Sequence, residues 1–302
     1  MLVRMLTVMV ALGCLGGSAA NGQNADLRWK LENGEKLNYD VHQDMTTILD
    51  IKGEKKESAS KNKLSMTWQV AGLSSAGDAY IVQQSIDRVS MEMEGGPAGK
   101  VSFDTAGADA PKSPAARLML SVFRRIVGQK FVVTMAPSGA IRDVQVPKGL
   151  MDAIVESQGS AAGQAPVITE EMLKQMMEQA AVTLPGRDTE PGTSWRTSQV
   201  VDMPLGRMTV SSVLKLQKVD TATGNATISV NPTISISPRE GAPLTLELIG
   251  SRGEGLLIFN TNNGRITKSQ LNLTIDMDVK QFGEVVRQTT HQTTVMTLQP
   301  QQ

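Results

Sequence analysis

Apolar and polar residues alternate along most of this chain, which is typical of β-strands with one buried and one solvated face. The clearest segment is 271–280, LNLTIDMDVK, in which every odd-numbered residue is apolar and every even-numbered residue is polar. Segments 64–70, 210–216 and 228–236 show the same period of two. In 80–93 the apolar phase shifts, and a β-bulge near Asp87-Arg88 would produce that shift. The pattern therefore predicts mainly antiparallel strands.

The strand pattern of the first half recurs in the second half. Residues 131–146 (FVVTMAPSGAIRDVQV) align without a gap with residues 256–271 (LLIFNTNNGRITKSQL). Residues 70–79 also align with residues 216–226, with one inserted residue. The turn signals Ser138-Gly139 and Asn263-Gly264 predict hairpins at equivalent places in the two halves. These matches indicate that a β-rich unit was duplicated.

Three amphipathic helices are predicted between the strands. The first starts at Ser113-Pro114 and stops at Gly128, the second lies at 150–155, and the third follows Thr169. Their apolar stripes could line a cavity for a flexible apolar molecule, although such a stripe more often packs as core. The candidate ligand-binding residues on the first and third helices are Leu118, Met119, Val122, Phe123, Met172, Leu173, Met176 and Met177.

The N-terminus predicts an export signal in residues 1–20. Arg4 supplies the positive charge, residues 5–15 the apolar segment, and Ser18-Ala19-Ala20 the small residues at the cleavage position. An apolar segment of this length is too short to span a bilayer, which needs about 20 residues. No later segment is longer, so no transmembrane span is predicted, and we expect a periplasmic or extracellular location.

Cys14 is the only cysteine, and two interpretations of it remain open. In the first, it is lost with the signal peptide. In the second, Ala11-Leu12-Gly13-Cys14 is a lipoprotein box, and acylated Cys14 anchors the protein to a membrane. The box has Ala where Leu is usual. In either case no disulfide can form within one chain, so stability must come from core burial.

The domain organisation predicted from these features has three parts. They are the signal peptide 1–20, a first β-rich repeat with two helices over 21–160, and a second repeat preceded by one helix over 161–302. The Gly/Ser/Ala-rich segment 157–165 is the candidate boundary. Whether the two repeats share one core is left open by the sequence.

Composition and motifs argue against several kinds of function. Lys and Arg total 30, as do Asp and Glu, so the basic surplus expected of a nucleic-acid-binding protein is lacking. Asp40, His42 and Asp44 would share one strand face and are of metal-ligand type, but the wet face of a strand explains them more simply. His291 lies in a polar run. The sequence contains no nucleophile elbow, phosphate-binding loop or zinc spacing. We therefore predict no catalytic residues, no metal and no cofactor.

A series of short segments resembles a known family. They are Leu27-Arg28-Trp29-Lys30, Gly34-Glu35-Lys36-Leu37-Asn38-Tyr39, Thr67-Trp68, Ile86-Asp87-Arg88-Val89, Leu184-Pro185 and Gly192-Thr193-Ser194-Trp195. Over nearly all of the mature chain, the sequence is similar to a family of exported bacterial proteins classed only as a domain of unknown function. The resemblance implies an envelope location and a duplicated β-fold, and it brings no catalytic residues.

The predicted fold class is α+β: duplicated, strongly bent antiparallel β-sheets, half-barrel-like and one per half, with a few covering amphipathic helices. The leading functional hypothesis is a non-enzymatic envelope protein that binds an apolar or lipid-like ligand between sheet and helices. The alternative is a structural or interaction scaffold that binds another envelope protein through strand edges or helix faces. A metal-dependent or other hydrolase, built around Asp40, His42 and Asp44, comes third.

Overall fold

The computed structural model describes residues 24–96, 99–157, 169–178, 182–203, 206–239, 245–281 and 284–300. The predicted signal peptide and Cys14 lie outside these residues. Up to residue 157 the elements are β1 (Ala25–Leu27), β2 (Lys36–Ile51), β3 (Glu54–Leu73), β4 (Tyr80–Gly96), β5 (Gly99–Asp104), α1 (Pro114–Ile126), β6 (Lys130–Met135), β7 (Ile141–Gln145) and α2 (Leu150–Ser157). They are followed by α3 (Glu170–Glu178), β8 (Gly186–Thr189), β9 (Ser194–Met203), β10 (Gly206–Asp220), β11 (Asn225–Pro238), β12 (Thr245–Asn260), β13 (Arg265–Gln281) and β14 (Glu284–Leu298).

Twelve of these strands form one open antiparallel sheet. Its order is β7-β6-β4-β3-β2-β14-β13-β12-β11-β10-β9, and β5 pairs with β4. β1 and β8 form a separate two-stranded sheet. The predicted fold class, a strongly bent antiparallel sheet with a few covering helices, is confirmed.

The sequence led us to expect one sheet in each half. The two halves do not form separate sheets. The last strand, β14, pairs with β2 along its length, from Arg287 opposite Asp50 to Leu298 opposite Tyr39. This pairing satisfies the backbone groups of two long strands that would otherwise be open edges. The halves are therefore joined into a single sheet.

The predicted bulge and hairpins are confirmed. Ser65 pairs with Arg88 while Met66 pairs with Ile86, so Asp87 is the extra residue on β4. Because of the bulge, the apolar residues before and after Asp87 lie on the same face of β4. Gly139 and Gly264 lie with positive φ in the turns of the β6–β7 and β12–β13 hairpins.

The duplication is visible in backbone hydrogen bonds. The N–H of Gly34 donates to the carbonyl of Val70 at 2.9 Å, and in the second half Gly192 donates to Leu216 at 2.7 Å. The return bonds match too, since Val70 donates to Glu35 and Leu216 donates to Thr193. The residues that align in sequence therefore hold equivalent positions in the two repeats.

The packed core lies at one end of the large sheet. Trp68 is fully buried, and its ring lies 5.4 Å from that of Trp29 and 5.3 Å from that of Tyr39. Phe259, from the second half, meets Trp29 edge-on at 6.2 Å. Buried residues of both halves belong to the same cluster. Burial of these rings is the main source of stability in a chain that cannot form an internal disulfide.

The helices form as their sequence signals predict. The hydroxyl of Ser113 caps α1 by accepting the N–H of Ala116 at 3.1 Å, with Pro114 in the first turn. α1 packs against α2 and β5, and α3 packs against β7. The described helices thus lie over strands of the first half.

Candidate functional site

The two faces of the large sheet differ sharply in charge. We call the face that carries Leu37 and Trp68 the core face, and the opposite one the outer face. On β2, β13 and β14, within residues 37–51, 269–279 and 286–298, every charged side chain is at an outer-face position. Core-face positions there carry aliphatic residues, methionine, threonine, glutamine, serine and one tyrosine, Tyr39. On these three strands the core face therefore carries no charge, and this holds well beyond the packed core.

A cavity of about 410 Å³ lies on the core face of the second half. Its residues come from neighbouring strands because alternate side chains of each strand point to the same side. The apolar residues are Val182, Val210, Leu214, Val230, Leu257 and Leu271. Uncharged polar residues, among them Thr197, Gln199, Ser212 and Ser269, complete the wall together with Arg196, which is at an outer-face position of β9.

Two glycines of β12 shape the floor beside this cavity. A Cβ atom on Gly255 would lie 3.0 Å from the Cδ1 of Leu271 and 3.3 Å from the Cβ of Val230. A Cβ on Gly253 would collide with the ring of Pro232. Glycine in a strand often marks such close approach, and here it lets side chains of β11 and β13 meet across β12.

The aliphatic surface continues from the cavity along β13. Leu271 forms part of the cavity, and Leu273, Ile275, Met277 and Val279 follow it at alternate positions, all of them half-buried. An elongated apolar molecule lying on this stripe would remain in contact with uncharged side chains. This part of the core face can therefore shield the apolar surface of such a molecule from solvent without burying a charge.

The helix residues selected from the sequence lie in the packed core of the first half. Val122, Leu173 and Met177 are at most 2% exposed, and Phe123 stacks on Phe103 with ring centres 5.6 Å apart. Leu118 and Met119 are half-buried. The side chains of Met172 and Met176 fall outside the described part of the structure. None of the other six contributes to the 410 Å³ cavity, and their assignment to a ligand remains a prediction.

Sequence reasoning missed the cavity residues, although a signal was present. On β9, β10 and β13, small polar residues occupy core-face positions next to aliphatic ones, as at Thr197, Ser212 and Ser269. Large apolar side chains at those positions would have filled the space. Recognising this required knowing which strands are neighbours.

A second, polar groove of about 1220 Å³ lies on the outer face of the first half. Asp40 and His42 line it together with Lys63, Arg88 and Asp104, whereas Asp44 does not. Arg88 donates two hydrogen bonds to Asp104 and thereby holds the pKa of that carboxyl below its ordinary value.

The Asp40-His42-Asp44 set does not assemble into a metal site or a catalytic pair. Asp40 accepts a hydrogen bond from the hydroxyl of Ser65 at 2.7 Å. Within the described residues, no three His, Cys, Asp or Glu side chains are placed to share a metal ion. His291 shares a hydrogen bond of 3.1 Å with Thr274 on the outer face. Both contacts join directly opposite residues of neighbouring strands, Asp40 with Ser65 on β2 and β3, and His291 with Thr274 on β14 and β13.

The fold and this surface define a class of α+β proteins built on one open, bent antiparallel sheet whose core face carries no charge on β2, β13 and β14. The chain belongs to the family of unknown function DUF6263, whose model matches residues 77–281. This finding confirms the resemblance stated from the sequence. A comparison with curated protein sequences found no match.

Solved structures whose chains follow a similar path share little sequence identity with this protein. A structure of lipid–protein interactions in lipovitellin is 10% identical with a TM-score of 0.47, and the match covers 89% of this chain but 25% of that one. This chain therefore spans a quarter of lipovitellin. A protein of Bacteroides fragilis considered to be exported, with a YmcC-like fold, is 8% identical with a TM-score of 0.27, covering 90% and 97% of the two chains. An outer membrane channel of Pseudomonas putida F1 is 8% identical with a TM-score of 0.30, covering 91% and 98%. All three TM-scores are below 0.5, so we transfer no property of these proteins to this chain.

Among the described residues, none of the helices has the length and apolar character required to cross a membrane.

Proposed function

We propose that this chain is a non-enzymatic, exported envelope protein that binds an apolar or lipid-like ligand on the core face of its large sheet. The observation that supports this proposal is the core face of β2, β13 and β14, which carries no charge and continues from the packed core past the cavity and along β13. The predicted signal in residues 1–20 supports export. If Cys14 is acylated, the protein is also anchored to a membrane.

The proposed site differs in place from the one expected between sheet and helices. The stripe residues of α1 and α3, such as Val122 and Leu173, fill the core of the first half. We propose that they support the sheet there, while the ligand lies on the half-buried surface near Leu271. The cavity volume falls in the range of about 300–1,000 Å³ usual for sites that bind small molecules.

The chemistry of this surface predicts how affinity depends on ligand length. Each buried CH₂ group contributes about 0.8 kcal/mol, so each added CH₂ should tighten binding by about fourfold until the stripe is full. Titration of a homologous series of alkyl ligands with the purified protein would measure this slope. An affinity independent of chain length would contradict an apolar site.

A charge placed on the core face should weaken binding of the apolar ligand. Leu271→Glu puts a carboxylate into the cavity wall, and we expect at least about tenfold weaker binding because the ligand cannot solvate that charge. The matched control is Leu256→Glu on the adjacent strand, where Leu256 is 45% exposed on the outer face. Equal affinities for the two variants, with folding verified by circular dichroism, would place the ligand elsewhere.

Native mass spectrometry of the protein purified from its own envelope without detergent tests the proposal most directly. We expect an added mass of a few hundred daltons that is extracted by organic solvent and behaves as a lipid. A chain that carries no added mass, and that also fails to bind the alkyl series, would refute the proposed function.

A second candidate function, an interaction scaffold, is favoured by the edge strand β9. It pairs with β10 from Ser194 to Met203 without a bulge, and no other described strand pairs with its free edge. The opposite end of the sheet, β7, has five residues and is contacted by α3. A long edge without Pro or Lys is a template for adding a strand from another protein.

Site-specific photo-crosslinking in the native envelope distinguishes the scaffold from the ligand carrier. A crosslinker at Val200 on β9 should give one defined protein adduct, whereas one at Val285, similarly exposed on an inner strand, should give none. Absence of an adduct from position 200 would contradict the scaffold function.

A further inference from the structure

A band of hydroxyl and amide side chains crosses the core face beside the aliphatic stripe of β13. Its members lie on the neighbouring strands β3, β2 and β14. We call this set the polar band: Gln43, Thr47, Ser60, Asn62, Thr290 and Gln292. Gln292 is directly opposite Leu273 of the aliphatic stripe, and Thr290 is opposite Ile275. A molecule lying on the stripe would therefore meet the polar band at its side.

Most polar groups of the band are paired with each other. The amide of Asn62 donates to the side-chain oxygen of Gln43 at 3.0 Å, and the hydroxyls of Thr47 and Thr290 lie 3.4 Å apart. Five buried side-chain atoms have no hydrogen-bond partner in the described structure, and two of them belong to the band, the Oγ of Ser60 and the Oδ1 of Asn62, while the other three are on Trp68 and Gln84. Ser60 itself is 7% exposed. A buried polar atom without a partner is costly, so these two atoms mark a place where a ligand can supply the missing bonds.

The two unpaired atoms have complementary chemistry. The hydroxyl of Ser60 can donate a hydrogen bond, and the Oδ1 of Asn62 can only accept one. They lie two residues apart on the same face of β3. A ligand group that combines a carbonyl oxygen with a hydroxyl would satisfy both atoms.

Among the described residues, no charged side chain belongs to the band or lies directly opposite one of its members on a neighbouring strand. The closest charged residues at core-face positions are Lys56 and Glu54 at the far end of β3, and they form an ion pair with each other at 3.6 Å. A carboxylate or phosphate held at the band would lose its water without gaining a cation. The site therefore disfavours anionic lipids.

We infer that the ligand is a neutral lipid whose headgroup carries both a hydroxyl and an ester or amide carbonyl, and that Ser60 and Asn62 bind this headgroup. This inference rests on the proposed function. Leu273 and Ser60 lie on strands three spacings apart, about 14 Å, so the headgroup at the band and the chain on the β13 stripe can belong to one molecule. Met45 lies between them, opposite both Ser60 and Gln292, and supplies a flexible apolar contact.

Three probes of equal chain length test the inference: a monoacylglycerol, the corresponding fatty acid and its methyl ester. Affinities are measured at pH 7.5, below the concentration at which each forms micelles. We expect the monoacylglycerol to bind at least about tenfold more tightly than the ionised fatty acid. A fatty acid that binds as tightly would overturn the inference while leaving apolar binding intact. Failure of all three probes to bind would instead overturn the proposed function.

Two variants assign the headgroup contacts. Ser60→Ala removes the donor and should weaken both the monoacylglycerol and the methyl ester several-fold. Asn62→Leu removes the acceptor and should weaken only the monoacylglycerol, since the methyl ester has no hydroxyl to donate. Ser90→Ala, on the outer face of β4, is the control and should change neither. Unchanged affinities in both band variants would show that the headgroup does not bind at Ser60 and Asn62.

Discussion

At the residue scale, charged side chains of the N-terminal segment form ion pairs with each other. Asp26 and Arg28 on and beside β1 form two hydrogen bonds of 2.7 and 2.8 Å, and Lys30 lies 3.4 Å from the same carboxylate. The bonds from Arg28, the larger cause, hold the pKa of Asp26 below its ordinary value of 3.8. β1 pairs with β8, so the segment that carries this carboxylate joins the starts of the two repeats.

This lowered pKa predicts an acid-dependent part of the stability. The ionised carboxylate stabilises the folded state above the pKa of the unfolded chain, and its contribution is lost as the pH falls through the lower folded-state pKa. We expect Asp26→Asn to be less stable than the wild type at pH 7 by less than about 1 kcal/mol, because the pair is partly solvated. Urea unfolding at pH 7 and at pH 2.5 measures the difference, which should shrink at the lower pH. A difference of equal size at both pH values would contradict this role.

At the element scale, equivalent hairpin turns dock against the N-terminal segment. The turn at Gly139 contacts Trp29, whose indole nitrogen would lie 2.7 Å from a Cβ added there, and it also contacts the carbonyl of Val182. The turn at Gly264 lies against Lys30 in the same manner, since a Cβ added there would lie 2.5 Å from the backbone nitrogen of Lys30. Glycine is required at both positions because φ is positive and because the backbone of another segment lies against the turn.

Alanine substitutions should separate these two requirements. Gly139→Ala adds a collision to the cost of a left-handed backbone, so we expect a loss of at least about 2 kcal/mol in the free energy of unfolding. Gly77→Ala also has a positive φ but no atom within 4 Å of the new Cβ, and it should cost only about 1 kcal/mol. Chemical denaturation of both variants gives the comparison. Losses of the same size would show that the docking of the turn contributes nothing.

At the scale of the whole molecule, a nearly buried ion pair links the two repeats. Glu35 of the first repeat binds Arg265 of the second, and their side chains are 8% and 12% exposed. Arg265 also donates to the carbonyl of Asn263 at 3.1 Å, while the hydroxyl of Tyr39 donates to the carbonyl of Ile266 at 3.2 Å. Burial raises the pKa of Tyr39, so its hydroxyl remains a donor at neutral pH.

Removing one partner of this pair should cost more than removing both. Glu35→Gln leaves the guanidinium of Arg265 buried without its counter-charge, and we expect a loss of about 3 kcal/mol. The double variant Glu35→Leu/Arg265→Met should be more stable than Glu35→Gln, because no uncompensated charge remains. Unfolding free energies of the single and double variants form the test. A double variant less stable than Glu35→Gln would contradict a coupled pair.

Much of the local structure could be predicted from the sequence, and little of the site. The start of α1 follows from Ser113-Pro114, the hairpins follow from Gly139 and Gly264, and the bulge at Asp87 follows from the apolar phase shift, because each depends on nearby residues. The stripes on α1 and α3 were also recognised correctly as amphipathic. The packing of these stripes into the core of the first half, away from the 410 Å³ cavity, depends on contacts between distant segments.

By itself, the sequence determined which residues form strands and which side of each strand is apolar, since the period of two along a strand is a local property. It also determined that the strand unit is repeated. Only the tertiary structure decided that β14 pairs with β2, which joins two expected sheets into one and brings the polar band beside the β13 stripe. The physical reason is that an alternating pattern specifies which face of a strand is buried but does not specify which strand lies next to it. Neighbours are chosen by long-range backbone pairing and by burial of the common core.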